Sequence, residues 1–198
     1  MLHHAVRPLR TRAAVLTVAL AGVLVLPIPA AARSVVDPST LTPPPNPAAN
    51  PVCGWTGGQV QCLSDLTFTV TDAETGIFCP GGQLLETSQR HTQSHRFYDS
   101  DLLLTRRVTQ EWVEGILYVR ETGQMVRWTD VDTGIATLRV PGDPSTGTGV
   151  NSGAYIHLYP AGGGSVLLAG RTVEDFDTGA FFAVGAHPDG VNFCALIA

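Results

Sequence analysis

Leu66-Thr67-Phe68-Thr69-Val70-Thr71 alternates apolar and hydroxyl side chains without a break. Successive side chains of a β-strand point to opposite faces, so this stretch reads as a strand with one buried face. Outward from it the same texture continues. Further candidate strands are 83–97, 101–113, 115–121, 124–129, 135–140, 153–159, 165–173, 180–185 and 191–197, and helical periodicity is hard to find. Glycines punctuate them at Gly76, Gly123, Gly134, Gly162 to Gly164, Gly179 and Gly190. Short links favour antiparallel neighbours. The expected fold is therefore all-β: an antiparallel meander forming a sandwich or a barrel, the latter removing its own edges by closure.

One short pattern occurs three times: Asp72-Ala73-Glu74-Thr75-Gly76, Asp130-Val131-Asp132-Thr133-Gly134 and Asp175-Phe176-Asp177-Thr178-Gly179. Unequal spacing excludes a repeat architecture. Asp accepts local backbone N–H bonds and Gly takes positive φ, so all three read as hairpin turns. A calcium loop is the sharper alternative. Two carboxylates per segment fall short of the six to eight oxygens calcium takes, and no metal is expected.

Upstream of the strands the chain reads as an export signal. Arg7, Arg10 and Arg12 precede an uncharged apolar run, Ala13 to Leu26. Pro27 and Pro29 break that run, and Ala30-Ala31-Ala32 supplies small residues for cleavage after Ala32. The run is shorter than the roughly 20 apolar residues of a spanning helix, so no transmembrane anchor is expected after processing. Residues 33–52 carry six prolines and few apolar side chains, the composition of an extended or disordered linker. The organisation expected is a signal helix over 1–32, a proline-rich linker over 33–52, and one domain over 53–198.

All four cysteines, Cys53, Cys62, Cys79 and Cys194, follow the signal. An even count in an oxidising compartment reads as two disulfides, with three possible connectivities. Cleavage would leave nine arginines against seventeen acidic residues, a formal charge of −8. No nucleic-acid partner is expected of such a chain, nor an anionic membrane surface. Lysine is absent, which removes Schiff-base chemistry, S-x-x-K acylation and a P-loop lysine. No G-x-S-x-G elbow is present, and no cofactor is expected.

Several features together carry a resemblance. Cys79 stands early in the domain, in Ile77-Phe78-Cys79-Pro80, and Cys194-Ala195-Leu196-Ile197-Ala198 ends the chain. Between them lie Arg96-Phe97-Tyr98-Asp99 and two of the Asp-x-x-Thr-Gly segments. Over residues 66–198 the chain resembles a broad group of small secreted actinobacterial β-domain proteins without an established activity. The resemblance implies secretion and a β-fold, and no catalytic residue to carry over. It also implies a Cys79–Cys194 bridge, since that group usually has only the two matching cysteines. Cys53 and Cys62 are additional. Gly57 and Gly58 between them allow a tight reversal and a local clip.

Candidate chemistry is sparse. His91 and His95 would share a strand face but stand about 13 Å apart, too far for one ion, and read as an exposed polar ladder. Glu111 and Glu114 flank Trp112, but residues three apart on a strand face opposite ways, against a glycosidase pair. Tyr98-Asp99-Ser100-Asp101 reads as a turn. The best recognition candidate is the stripe Tyr155, His157 and Tyr159, opposite the core-like Ala154, Ile156 and Leu158. The functional expectation is a secreted noncatalytic binding or cell-envelope interaction domain of unknown ligand, with cell-wall or polysaccharide material as the candidate partner. The alternatives are a barrel carrying a small apolar ligand and a hydrolase with a scattered site.

Overall fold

The computed structural model describes residues 34–185 and 192–197. The signal segment and Gly190 lie outside them. Eight antiparallel strands follow one another in chain order across one sheet: β1 (Val52–Thr56), β2 (Gln59–Cys79), β3 (Gly82–Tyr98), β4 (Leu104–Val119), β5 (Met125–Thr137), β6 (Thr148–Tyr159), β7 (Val166–Asp175) and β8 (Ala180–Gly185). The all-β antiparallel meander is as expected. No β1–β8 ladder closes it among the described residues.

The sheet nevertheless curls. Strands β2 and β6 would be about 19 Å apart if it were flat. Instead Thr75 and Ile77 of β2 and Ile156 of β6 line one small hollow of about 160 Å³ with Phe193. The two halves thus face each other over a shared interior in the manner of a sandwich. That interior has two apolar clusters. One joins Leu84, Val113, Leu117, Val119, Val126, Trp128, Leu158 and Ile197. The other joins Leu41, Cys53, Val60, Cys62, Tyr98, Leu104 and Leu138. A disulfide serves each: Cys53–Cys62 clips β1 to β2, and Cys79–Cys194 ties the end of β2 to the C-terminal turn.

Several local expectations are corrected. Of the Asp-x-Asp/Glu-Thr-Gly segments only Asp175–Gly179 makes a hairpin turn, where the Asp175 carboxylate accepts from the backbone N–H groups of Asp177 and Thr178 at 2.9 and 3.1 Å. Asp72–Gly76 lies inside β2 at an irregularity in its pairing with β3. Asp72 takes φ +53° there, and its carboxylate accepts from the Tyr118 hydroxyl and the Arg120 guanidinium. Asp130–Gly134 runs straight through β5, fusing the expected 124–129 and 135–140. A Cβ at Gly134 would come within 2.6 Å of the Asn151 side chain, and one at Gly115 within 2.5 Å of the Thr87 carbonyl. Those glycines admit close neighbours inside strands; they do not turn the chain.

The expected strand 191–197 contains instead a single helical turn, α1 (Phe193–Leu196), capped by the Asn192 side chain. A short apolar run does not tell strand from buried turn. The proline-rich stretch is also ordered. Asp37 and Asn46 cap two 3₁₀ turns, Pro38–Thr40 and Pro47–Ala49, and Leu41 is 2% exposed. Prolines lack a donor but keep their carbonyls. Here the Tyr98 hydroxyl donates to the Pro43 carbonyl at 3.0 Å and Arg96 to that of Pro44 at 3.1 Å. The described residues 34–52 are therefore part of the domain rather than a free linker.

Candidate functional site

The stripe on β6 is not a clean surface. Thr129 pairs with His157 and Val131 with Ala154, so β6 carries one residue more than β5 opposite Asp130. That bulge sits at Tyr155 and breaks the alternation. Ile156 and Leu158 point inward as expected, Leu158 being fully buried, whereas Ala154 pairs with outward-facing Val131. His157 and Tyr159 are half-buried and locked together: the Tyr159 hydroxyl lies 2.9 Å from His157 Nδ1, and the Arg127 guanidinium stands over the Tyr159 ring. The Tyr155 hydroxyl donates to the Asn151 carbonyl at 2.8 Å. The Arg127–Tyr159 contact is cross-strand, and the other two lie within β6.

A larger candidate surface lies on the outer face of β2, β3 and β4. Registers there stack three cross-strand rows: Leu63–His95–Val108, Asp65–Gln93–Gln110 and Thr67–His91–Trp112. The first two rows line a groove of about 670 Å³ whose far wall is Ala49, Asn50 and Val52. The folded proline-rich stretch thus builds one side of it. Asp65 organises the floor: its carboxylate accepts from Gln93 Nε2 at 3.0 Å and sits 3.0 Å from His91 Nε2. The hydrogen bond from His91 first, then that from Gln93, holds the Asp65 carboxyl below its ordinary range. In the adjoining row the His91 and Trp112 rings stack with centroids 5.0 Å apart.

The inner face of the same strands is charged. Arg90 bridges Glu86 at 2.8 Å and Glu111 at 3.0 Å. Parity separates Glu111, which faces in, from exposed Glu114, so those two form no pair. The acids that gather around Glu111 are Asp130 and Asp132 of β5. Burial first, then Asp132 and Glu111, push the Asp130 carboxyl up to about 7, with Arg90 opposing. Asp130 Oδ1 is buried without a hydrogen-bond partner among the described residues. Among those residues no group of three His, Cys, Asp or Glu side chains is arranged to hold a metal ion. No helix there is long and apolar enough to cross a membrane.

The groove was legible only in fragments. His91 and His95 mark its strand, but Leu63, Asp65 and Gln110 join them only through strand register. No family model, curated protein or solved structure matches the chain, so the site is read from its own chemistry.

Proposed function

We propose that the chain is an exported, noncatalytic binding domain that takes a neutral polysaccharide of the cell envelope in the outer groove. One observation carries this reading: strand register sets amides, imidazole and carboxylate in two rows beside a stacked histidine–tryptophan pair. Sugar hydroxyls need donors and acceptors at close spacing, and Gln93 and Gln110 supply both. Aromatic side chains add broad apolar area with polar tips. The groove lining has no arginine, and its one carboxylate is already bonded to His91 and Gln93, so a neutral ligand fits better than a charged one. Its volume lies in the usual range of binding clefts, about 300–1,000 Å³. Two disulfides and the signal-like first 32 residues support export. A carrier of an apolar ligand fits less well, because the larger inner hollow is lined by Arg107, Glu111, Asp132 and Glu174.

Retention of secreted protein on insoluble cell-wall or polysaccharide material tests the reading. The double variant Gln93→Ala/Gln110→Ala should lose retention and keep the wild-type melting temperature, while Glu121→Gln should be retained fully. Equal retention of wild type and double variant would remove the groove. Glycan hydrolysis abolished by Asp132→Asn would replace the noncatalytic reading with an enzymatic one.

A further inference from the structure

On the inner face, between the two apolar clusters, the sheet leaves a recess of about 380 Å³. Its floor is missing side chains. Gly134 and Gly149 line it, and the row beyond Asp132 runs through Gly153, Gly170 and Gly185 on successive strands. Phe176 and Phe181 wall one side. Large apolar residues in those rows would fill the space as they do on either side. Glycine and short polar residues keep it open instead.

Some polar side chains in the recess lack partners among the described residues. Thr172 is 8% exposed and lines it, and its hydroxyl makes no hydrogen bond among the described residues. Asp132 faces Glu111 across the β4–β5 ladder and has no ion pair among those residues. Burial, then Glu111, raises its carboxyl above the ordinary range. At the mouth stands Arg107, which also has no acidic partner among the described residues. Its side chain keeps substantial exposure, yet the surrounding protein and then the neighbouring Arg96 lower its pKa. Arg107 and Glu111 are four residues apart on β4, so their Cα atoms are separated by about 13 Å, less whatever the side chains span. Asp132, without a cation, thus sits inside beside a Glu111 that Arg90 already pairs, and Arg107, without an ion pair among the described residues, sits at the rim, where exposed Glu174 of the same cross-strand row also lines the recess.

We propose that this recess is a second ligand site, for a compact zwitterion of the ω-amino acid class: its ammonium meets Asp132, its carboxylate meets Arg107, and the Thr172 hydroxyl donates to that carboxylate. An α-amino acid fits poorly, because its two charges are adjacent and cannot reach both ends. Phe176 and Phe181 cover the ligand's methylene chain. Charged hydrogen bonds to the ligand replace solvation that the recess has partly removed.

Calorimetric titration of the secreted, disulfide-intact protein with 6-aminohexanoate, hexylamine and hexanoate decides it. The zwitterion should bind at least tenfold tighter than either singly charged analogue. Arg107→Gln should reduce it to the affinity of hexylamine, and Asp132→Asn to that of hexanoate. Thr172→Val, with an unchanged melting temperature, should weaken it several-fold. Arg107 lies at the exposed rim, so its variant tests the site even where Asp132→Asn disturbs folding. Equal binding of hexylamine and 6-aminohexanoate, an unaltered affinity in Arg107→Gln, or no binding heat from any of the three would overturn the proposal.

Discussion

The outer groove and the inner recess share strand β4, whose Val108 and Gln110 line one and whose Arg107, Thr109 and Glu111 line the other. Outside, water solvates the strand face, and amides with one bonded carboxylate suffice. Inside, the same strand runs between two apolar clusters, where each charge must be clamped, as Arg90 is by Glu86 and Glu111, or shift its protonation, as Asp130 does. Polar residues on the inner side therefore have consequences for stability. Those on the outer side are expected to matter less for stability.

The sharpest way to break this contrast is at the tethers. Cys79–Cys194 closes 115 residues and holds α1 against the inner cluster, whereas Cys53–Cys62 closes nine. Loop-closure entropy puts the first at about 5 kcal/mol and the second at about 2.6. Cys194→Ser should thus lower the unfolding free energy far more than Cys53→Ser in a denaturant titration. The reverse order would mean that the C-terminal turn contributes little to the interior.

Next in size is a pair of leucines. Leu158, fully buried on the inner face, should cost about 2–5 kcal/mol on change to alanine. Leu63, 53% exposed in the outer groove, should cost less than about 1 kcal/mol. Equal losses would show that the outer face is packed too.

The smallest expected effect depends on pH. Asp130 titrates near 7 in the fold and near 3.8 unfolded, so between those values the folded state binds more protons. Stability of the wild type therefore falls as pH rises from about 4 to about 7. Each pKa unit is worth about 1.4 kcal/mol, and partial exposure of the carboxyl discounts the total to about 1–2 kcal/mol. Asp130→Asn should gain that amount at pH 8 and almost nothing at pH 4. A variant destabilised at pH 8, with Glu111, Asp132 and Arg90 unchanged around it, would contradict the assigned proton.

Much of the architecture could be read from residue order. Alternation at Leu66–Thr71 marks a strand because period two has no helical reading, although the face it buries is only partly covered: Phe68 remains 40% exposed on a strand that outruns the core. Gly57 and Gly58 do make the tight β1–β2 reversal, with φ of +59° and +83°. What failed were signals whose meaning depends on a neighbour. Gly134 resembles a turn glycine until the close neighbour Asn151 is in place. The proline-rich stretch looks unfoldable until Tyr98 and Arg96 supply the donors for its carbonyls. Both candidate sites depend on register across three or more strands, and a bulge such as the one at Tyr155 inverts any face assignment made by counting in twos.

Ligand is expected on the outer face of β2–β4. Nuclear magnetic resonance of the labelled, disulfide-intact protein tests it directly, titrated with soluble oligosaccharides from whichever polysaccharide retains it. Shift changes are expected at the Gln93 and Gln110 side-chain amides, the His95 ring and the Trp112 indole, with Thr172 and the Tyr155–Tyr159 segment unmoved. Changes confined to Thr172 and its recess, or to Tyr155, His157 and Tyr159, would contradict it.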